Sequence, residues 1–224
     1  MPIHVVSSMA TRQVLGELTS QFEAQSGPAV RVESVGGVDA AKRVRAGEPF
    51  DVVVLASNVI DALIAEGHLA GPRIDVVASA IGIGVRAGAA RPDIGSADAV
   101  KRAVLAARRI GYSTGPSGTY LNQLFERWGI ADAVKDRITI APPGVPVTSL
   151  VASGEIELGF QQLSELAGEG VDVVGSLPEE IQSVTTFSGA VARTSAQPDA
   201  ARRLLDYLAA PATADVKRRY LFLV

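Results

Sequence analysis

The chain has 224 residues, 47% of them hydrophobic and 20% charged, with a formal net charge of −3. These values are typical of a globular protein with one large domain or two small ones. Aromatic residues make up only 5% and the basic residues are scattered, which excludes an aromatic platform or a basic patch for nucleic acid.

The first third of the chain alternates between strand-like and helix-like segments. Short apolar runs predict buried strands, and apolar residues that recur at helical spacing predict helices. In chain order we predict strand Ile3–Val6, a helix through Val14, Leu15, Leu18 and Phe22, strand Val30–Val35, helix Ala40–Ala46, strand Asp51–Leu55 and helix Val59–Glu66. This alternation implies a parallel sheet with right-handed crossovers.

Two long extended segments, Asp75–Arg86 and Val184–Val191, interrupt this rhythm and could both pass between two lobes. A second series of strands and helices lies between them, and two helices follow the return crossing. These are helix Val100–Ala107, strand Arg109–Tyr112, helix Tyr120–Gly129, strand Ile138–Ile140, helix Val147–Ala152, strand Glu157–Phe160, and then helices Asp199–Ala209 and Ala212–Tyr220. We therefore predict a two-lobed α/β fold, with lobe 1 formed by residues 1–80 and 190–224 and lobe 2 by residues 81–189.

Ligands of doubly wound sheets bind beyond the carboxyl ends of the strands, where loops enter helices. In lobe 1, Ser7 and Ser8 follow the first strand, and Gly36 and Gly37 follow the second. Hydroxyls, close backbone approach and helix N-terminal N–H groups are suited to an anion. The alternatives are that the serines are N-caps, and that the glycines form an ordinary turn capped by Asp39.

In lobe 2, the loop from Tyr112 to Tyr120 contains Ser113, Ser117 and Gly118 and precedes a helix. Its hydroxyls and backbone donors are suited to an oxyanion or carboxylate, although a plain Gly/Ser loop is the alternative.

A second candidate in lobe 2 is the pair Gln161 and Gln162 at the end of a buried strand. A buried amide needs partners for both its donor and its acceptor, so we predict that at least one of the two faces a ligand. An exposed position at the start of a helix is the alternative.

The sequence argues against several other kinds of site. The chain has no cysteine, which excludes disulfides, thiolate nucleophiles and cysteine-bound metals. With only His4 and His68, distant in sequence, neither a Ser-His-Asp triad nor a metal site is expected, and no cofactor is expected either.

No run is long enough to span a membrane, and the N-terminus lacks the basic start of a leader peptide. We expect a cytoplasmic monomer without membrane insertion, or a periplasmic protein if a leader has been removed. We expect no nucleic-acid partner.

Four stretches carry a family resemblance: SSMATRQVLGELTSQFEAQSG, AKRVRAGEPFDVVVLAS, IGYSTGPSGTYLNQLFERWGI and SLVASGEIELGFQQLSE. Through them the chain, from Val5 to about Tyr220, resembles the type II periplasmic binding proteins, in particular the molybdate-binding branch. The stretches VRAGAARPDI, YSTGPSG and IELGFQQLSEL are also similar to the aconitate-isomerase-like branch. The resemblance implies that the two long segments are hinge crossovers and that a small anion binds in the cleft between the lobes.

The resemblance also implies particular ligand contacts. Carried over by position, they are the hydroxyl of Ser7 or Ser8, the backbone N–H of Gly37, Ser117, the backbone near Gly144, and the position of Gln162. Molybdate binders typically have Ser in place of Gly37 and Tyr in place of Gln162, so the resemblance implies an altered choice of anion. An unmatched buried donor costs about 1–3 kcal/mol.

Three functions stay open from the sequence. The first is a solute-binding protein that closes around an anion, molybdate-like or a small polycarboxylate, as a component of an ABC-type transport system whose permease is its partner. The second is an isomerase of a small tricarboxylate, for which Tyr112, Ser117 and Glu165 are candidate bases. The third is a cytoplasmic sensory module, suggested by the missing leader alone.

Overall fold

The chain passes twice between two units, once inside one long strand and once at the start of another. In the computed structural model, which describes residues 1–25, 27–142 and 144–223, unit 1 comprises Met1–Ala78 and the chain from Thr185 onwards, and unit 2 comprises Ser79–Val184. The domain boundaries predicted after residues 80 and 189 stay a prediction, because a division by contacts does not show that either unit folds alone.

Strands and helices alternate through most of the described residues. The strands are β1 (Ile3–Ser8), β2 (Val30–Val35), β3 (Val52–Ala56), β4 (Leu69–Arg86), β5 (Ile110–Tyr112), β6 (Ile138–Ile140), β7 (Leu158–Gln162), β8 (Val171–Ser176) and β9 (Val184–Ala192). The helices are α1 (Arg12–Ala24), α2 (Gly37–Arg45), α3 (Ser57–Ala65), α4 (Ala97–Ala106), α5 (Pro116–Arg127), α6 (Ala131–Val134), α7 (Val147–Ser153), α8 (Leu163–Leu166), α9 (Pro198–Ala209) and α10 (Ala214–Arg219).

The sheet of unit 1 has the order β2-β1-β3-β9, in which the first three strands are parallel and β9 is antiparallel. Alternate residues of a strand point to opposite faces, and each face of this sheet has its own core. Ile3 and Val5 pack with α1 and α9 on one face, whereas Val6 packs with α2 and α3 on the other. Strand β1 is therefore buried on both sides, as is typical of a central parallel strand.

The sheet of unit 2 has the order β8-β4-β7-β5-β6. Strands β5, β6 and β7 are parallel, while β4 is antiparallel to both β7 and β8. The larger core of the unit contains Tyr112 and Phe160 with residues of α4, α5 and α6, and a smaller core contains Val147 and Val151 of α7. The prediction of α/β units with mainly parallel sheets flanked by helices is confirmed.

The structure differs from the predicted elements mainly at helix starts. Helix α2 begins at Gly37 rather than Ala40, so Asp39 lies in its first turn and the idea that Asp39 is the cap is wrong. Helix α5 begins at Pro116 rather than Tyr120. Proline suits the first helical position because the N–H it lacks is unbonded there in any helix. The predicted lobe 2 loop is therefore partly helical.

Unit 2 also contains three elements that are not among the predicted ones, β8, α6 and α8. Strand β8 is half-buried at nearly every residue, so it shows no clear alternation, and α6 is a single turn. Strand β7 extends two residues further than predicted, through Gln161 and Gln162.

Candidate functional site

A topological switch point lies between β5 and β7 in unit 2. Helix α5, which follows β5, packs on the face of the sheet that carries Phe160. Helix α8, which follows β7, lies on the opposite face, because a Cβ added at Gly82 would meet Leu163 and Leu166. Adjacent parallel strands whose helices leave to opposite faces open a crevice at their carboxyl ends, which is where α/β sheets bind ligands.

One wall of this crevice is the tight turn from Ser113 into α5. A Cβ added at Gly118 would lie 1.8 Å from the carbonyl oxygen of Ser113, so only glycine permits this close approach. The Ser113 hydroxyl accepts a hydrogen bond from the Gly115 N–H at 3.4 Å. The turn is therefore fixed by backbone packing and by a local hydrogen bond.

The first turn of α5 directs hydrogen-bond donors toward the crevice. Gly115 is the N-cap and offers no side-chain cap, and Pro116 has no N–H, so the N–H groups of Ser117 and Gly118 are left without helical partners. The Ser117 side chain is only 2% exposed, and within the described residues its hydroxyl makes no hydrogen bond. These donors, at a helix N-terminus, form an arrangement that suits an anion.

The other wall is the end of β7. The side chains of Gln161 and Gln162 are both buried, 4% and 2% exposed, so the idea that either is exposed at a helix start is wrong. The Gln161 amide Nε2 donates to Glu165 Oε1 at 2.9 Å. The Gln161 Oε1 atom is buried and has no hydrogen-bond partner among the described residues. A buried acceptor of this kind is expected to have a partner in a bound molecule or water.

Burial raises the pKa of the Glu165 carboxyl to about 7, and the hydrogen bond from Gln161 opposes this shift. The Glu165 side chain keeps a partly exposed edge. No ion pair to Glu165 is present within the described residues. A partly accessible carboxyl with a pKa near neutrality is the kind of group that can exchange protons with a ligand.

Tyr112, by contrast, is engaged within the unit. Its hydroxyl donates to Asn122 Oδ1 at 2.5 Å, and burial raises the pKa of the phenol further above its ordinary value. The tyrosine therefore positions α5 against β5 and is poorly suited to accept a proton at neutral pH.

A second switch point lies around β1 in unit 1, because α1 packs on one face of the sheet while α2 and α3 pack on the other. The hydroxyls of Ser7 and Ser34 lie 2.8 Å apart at the carboxyl ends of β1 and β2, and Ser7 is 0% exposed. Ser8 caps the following turn, since its Oγ accepts from the Ala10 N–H at 3.4 Å. The hydroxyls of both predicted serines thus have partners within the unit.

Gly36 and Gly37 form the start of α2, as its N-cap and its first residue. Gly37 has open space where a Cβ would be, so this turn does not require glycine for steric reasons. The Asp39 carboxylate lies in the same turn, 3.5 Å from the position of a Cβ on Gly36. A carboxylate at a helix N-terminus interacts favourably with the helix dipole, and it competes there with a bound anion.

The predicted backbone contact at Gly144 follows β6. Gly144 has a φ of 79°, which favours glycine, while Pro143 beside it lies outside the described residues. Strand β6 neighbours β5, so Gly144 belongs to the same carboxyl edge of the unit 2 sheet.

Sequence reasoning missed two features of these edges. Ser57 and Asn58 begin α3 directly after the buried strand β3, and α3 has no side-chain cap. The same strand-to-helix signal that drew attention to Ser7 was present there. The hydrogen bond between Gln161 and Glu165 was also missed; their four-residue spacing is compatible with it, but nothing in the spacing indicates that burial raises the pKa of Glu165.

The described residues also bear on a metal site and on a membrane-spanning helix. No group of three or more His, Cys, Asp or Glu side chains is arranged to hold a metal ion there. Among the helices in the described ranges, none has the length and hydropathy of a membrane-spanning helix.

Comparison with known proteins gives consistent matches along the whole chain. A family model described as "Bacterial extracellular solute-binding protein" matches residues 3–223. An aconitate isomerase of a Pseudomonas species is 38% identical over 213 residues, covering 92% of this chain and 81% of the relative. A molybdate-binding protein of Azotobacter vinelandii is 27% identical over 218 residues, covering 91% of this chain and 82% of the relative.

Among solved structures, the periplasmic molybdate-binding protein of Azotobacter vinelandii superposes with a TM-score of 0.83. The match covers 99% of each chain at 20% sequence identity. This likeness shows that the two-lobed fold is shared.

Proposed function

We propose that this chain, which belongs to the bacterial extracellular solute-binding proteins, binds a small anion at the carboxyl edges of its parallel strands. The observation that carries the proposal is the β5–β7 crevice, where the Ser117 hydroxyl has no partner among the described residues and lies beside free N–H groups of α5. Buried donors of this kind are stabilised when an acceptor binds to them.

We place the remaining ligand contacts on both units. In unit 2 they are Ser113, Ser117, Gly118, Gly144, Gln161 and Gln162. In unit 1 they are Ser7, Ser8, Gly36 and Gly37, together with the newly found Ser57.

A small polycarboxylate fits these groups better than a tetrahedral oxyanion does. A fully ionised oxyanion offers only acceptors, whereas Gln161 Oε1 needs a donor, which a polycarboxylate supplies when it carries a hydroxyl or retains a carboxyl proton. The Asp39 carboxylate beside the start of α2 also disfavours concentrated negative charge at that point. The relative at 38% identity, named for its action on aconitate, supports the same ligand class.

A transport role follows from the family. In that role the protein acts outside the cytoplasm, and the liganded form is recognised by the permease of an ABC-type transporter, which is the partner proposed here.

A panel of ligands tests the binding proposal. We expect cis-aconitate, trans-aconitate or citrate to raise the melting temperature of the protein in a concentration-dependent way, because a ligand that binds only the folded state stabilises it. Molybdate, tungstate and sulfate are the comparison ligands. Stabilisation by oxyanions alone would change the ligand class, and stabilisation by no member of the panel would contradict the proposal.

A second candidate function is isomerisation of a small tricarboxylate, and Glu165 is the observation that favours it. Moving an allylic proton requires a base within hydrogen-bond reach whose pKa lies near the working pH. The Glu165 carboxyl has a pKa of about 7 and retains an exposed edge. In this function the ionised carboxylate removes a proton from one carbon of the substrate and returns it to another.

Isomerisation is tested by incubating cis-aconitate with the protein and following trans-aconitate by NMR. If Glu165 is the base, the rate rises as the pH increases through about 7, because the carboxylate is the active form. The Glu165→Gln variant should then lose activity while still binding substrate. Binding without any conversion by the wild type would leave the first function alone.

A further inference from the structure

The Gln161–Glu165 pair can exist in two hydrogen-bonded arrangements, and each leaves a different atom of Gln161 unpaired. When Glu165 is ionised, its carboxylate accepts from Nε2, as observed at 2.9 Å, and Oε1 is left as a buried acceptor. When Glu165 is neutral, its O–H can donate to Oε1 after the amide turns over, and Nε2 becomes the unpaired donor. The carbonyl oxygen of the neutral carboxyl can also still accept from Nε2, so protonation of Glu165 adds the second arrangement to the first.

The pair is isolated from other charges within unit 2. Helix α8 packs against β7, β8, α7 and β4, and neither α7 nor β7 carries a titratable side chain. The part of β4 in unit 2 carries one charged residue, Arg86 at its end, which lies beside Gly154 rather than beside α8. On β8 the one titratable group is Asp172, whose carboxylate accepts from the Gly88 N–H and lies 3.8 Å from Arg91. Within α8 itself Glu165 is the single charged residue. The protonation of the pair is thus governed by burial and by whatever molecule binds beside it.

The pair also lies where a ligand is expected. Gln161 is the penultimate residue of β7, two residues before the start of α8, and thus at the carboxyl edge of the sheet that borders the β5–β7 crevice. Its side chain is 4% exposed, so an unmatched atom there carries the desolvation penalty of a buried polar group. A molecule that supplies the missing partner is therefore favoured over one that does not.

We infer that Gln161 and Glu165 select the ligand by its hydrogen-bond donors: with Glu165 ionised, the site prefers a carboxylate that carries a hydroxyl or a retained carboxyl proton, and with Glu165 neutral this preference weakens. The inference rests on the proposed function, because it names the ligand class of the same site.

Citrate and tricarballylate are a matched pair of ligands for a test. Both are tricarboxylates on the same carbon skeleton, and citrate has one additional hydroxyl group. We compare their dissociation constants by calorimetry at about pH 6 and about pH 8, on either side of the titration of Glu165. The ratio of the two constants is used because changes in ligand charge with pH are similar for both and largely cancel.

In the wild type we expect the preference for citrate to increase about tenfold between the lower and the higher pH, the effect of one additional hydrogen bond to a buried acceptor. In Glu165→Gln the preference should not change with pH, since the side chain cannot ionise. The Glu169→Gln variant is the matched control: it removes an exposed carboxylate from the following loop and should behave like the wild type.

Each other outcome overturns the inference. A preference that is constant with pH in the wild type contradicts it, as does a pH-dependent preference that persists in Glu165→Gln. Binding of other anions without either tricarboxylate overturns the inference but leaves anion binding intact. If no anion of any class binds, the proposed function itself fails, so the two failures are distinguishable.

Discussion

The two units use the same architecture at their strand ends, but they differ in how completely the polar groups there are satisfied. In unit 1 the Ser7 hydroxyl pairs with Ser34, and Ser8 caps its own turn. In unit 2 the Ser117 hydroxyl makes no hydrogen bond within the described residues, and Gln161 Oε1 is buried without a partner among them. We infer that unit 1 is closer to a preformed framework and that unit 2 contributes more to ligand choice.

The contrast extends to the glycines that begin the two helices. Gly118 in α5 is in contact with the Ser113 carbonyl oxygen, while Gly37 in α2 has open space around it. The turn at the start of α5 is therefore more tightly packed than the turn at the start of α2. Tight backbone packing beside unpaired donors is typical of a preorganised binding site.

The largest expected effect comes from Gly118→Ala. Its Cβ would lie 1.8 Å from the Ser113 carbonyl oxygen, so the turn must shift. We expect a loss of about 2–3 kcal/mol in the free energy of unfolding, measured by urea denaturation, and a loss of anion binding. Gly37→Ala is the matched control in unit 1 and should change stability by less than about 1 kcal/mol. Equal losses of stability in the two variants would contradict the difference in packing between the two turns.

A second prediction concerns the stability of the protein as a function of pH. The pKa of Glu165 is raised to about 7 in the folded state, so the folded chain holds this proton more tightly than the unfolded chain does. The resulting stabilisation is fully present below the unfolded pKa of about 4.3 and is lost as the pH rises through 7.

Glu165→Gln should therefore be more stable than the wild type at about pH 8, by about 1–3 kcal/mol, and similar to it at about pH 4. Thermal unfolding across this range measures the difference, with Glu169→Gln as the control. A difference in stability between Glu165→Gln and the wild type that stays constant at all pH values contradicts a raised pKa for Glu165.

Ser117→Ala and Ser8→Ala sharpen the comparison between the units. Removing the Ser117 hydroxyl should weaken ligand binding about tenfold with little change in stability, because that hydroxyl makes no hydrogen bond in the described part of the protein. Removing the Ser8 hydroxyl should lower the free energy of unfolding by about 0.5–1 kcal/mol with a smaller effect on affinity, because it removes a cap. The reverse pattern would assign ligand choice to unit 1.

Unit 1 also contains unsatisfied or costly buried groups: His4 Nε2 is buried without a hydrogen-bond partner among the described residues, and Lys217 in α10 has a buried side chain. The Lys217 side chain is 4% exposed, burial lowers the pKa of its amine, and no ion pair to it occurs within the described residues. Replacing a buried charge by an apolar side chain of similar size often stabilises a protein. We expect Lys217→Met to raise the free energy of unfolding by about 1 kcal/mol. A destabilised variant would indicate that the amine has a partner in the folded protein.

Much of the fold was predictable because apolar periodicity and glycine or proline punctuation are local signals. The strand Val30–Val35 was predicted with its observed bounds, and every apolar residue predicted to form the buried side of α1 is buried. The start of α5 was predicted four residues late because the hydroxyl-rich segment was interpreted as a loop. Its proline is equally compatible with the first turn of a helix.

The positions of the candidate site residues were predictable, but the hydrogen-bond pairing and the protonation of their side chains were not. Strand ends are identifiable from the sequence, and Ser117 and Gln161 follow directly from them as candidate contacts. Whether a hydroxyl is paired depends on register, as in the contact between Ser7 and Ser34 from different strands. The raised pKa of Glu165 depends on burial by elements distant in sequence, which no short motif encodes.

The most direct test is a calorimetric titration of cis-aconitate into the wild type, Ser117→Ala and Ser8→Ala under one set of conditions. The proposed site predicts saturable binding to the wild type with one ligand per chain, about tenfold weaker binding to Ser117→Ala, and a smaller change in Ser8→Ala. The absence of saturable binding to the wild type, or an affinity that is unchanged in Ser117→Ala, would contradict the claim that the β5–β7 crevice of unit 2 holds the ligand.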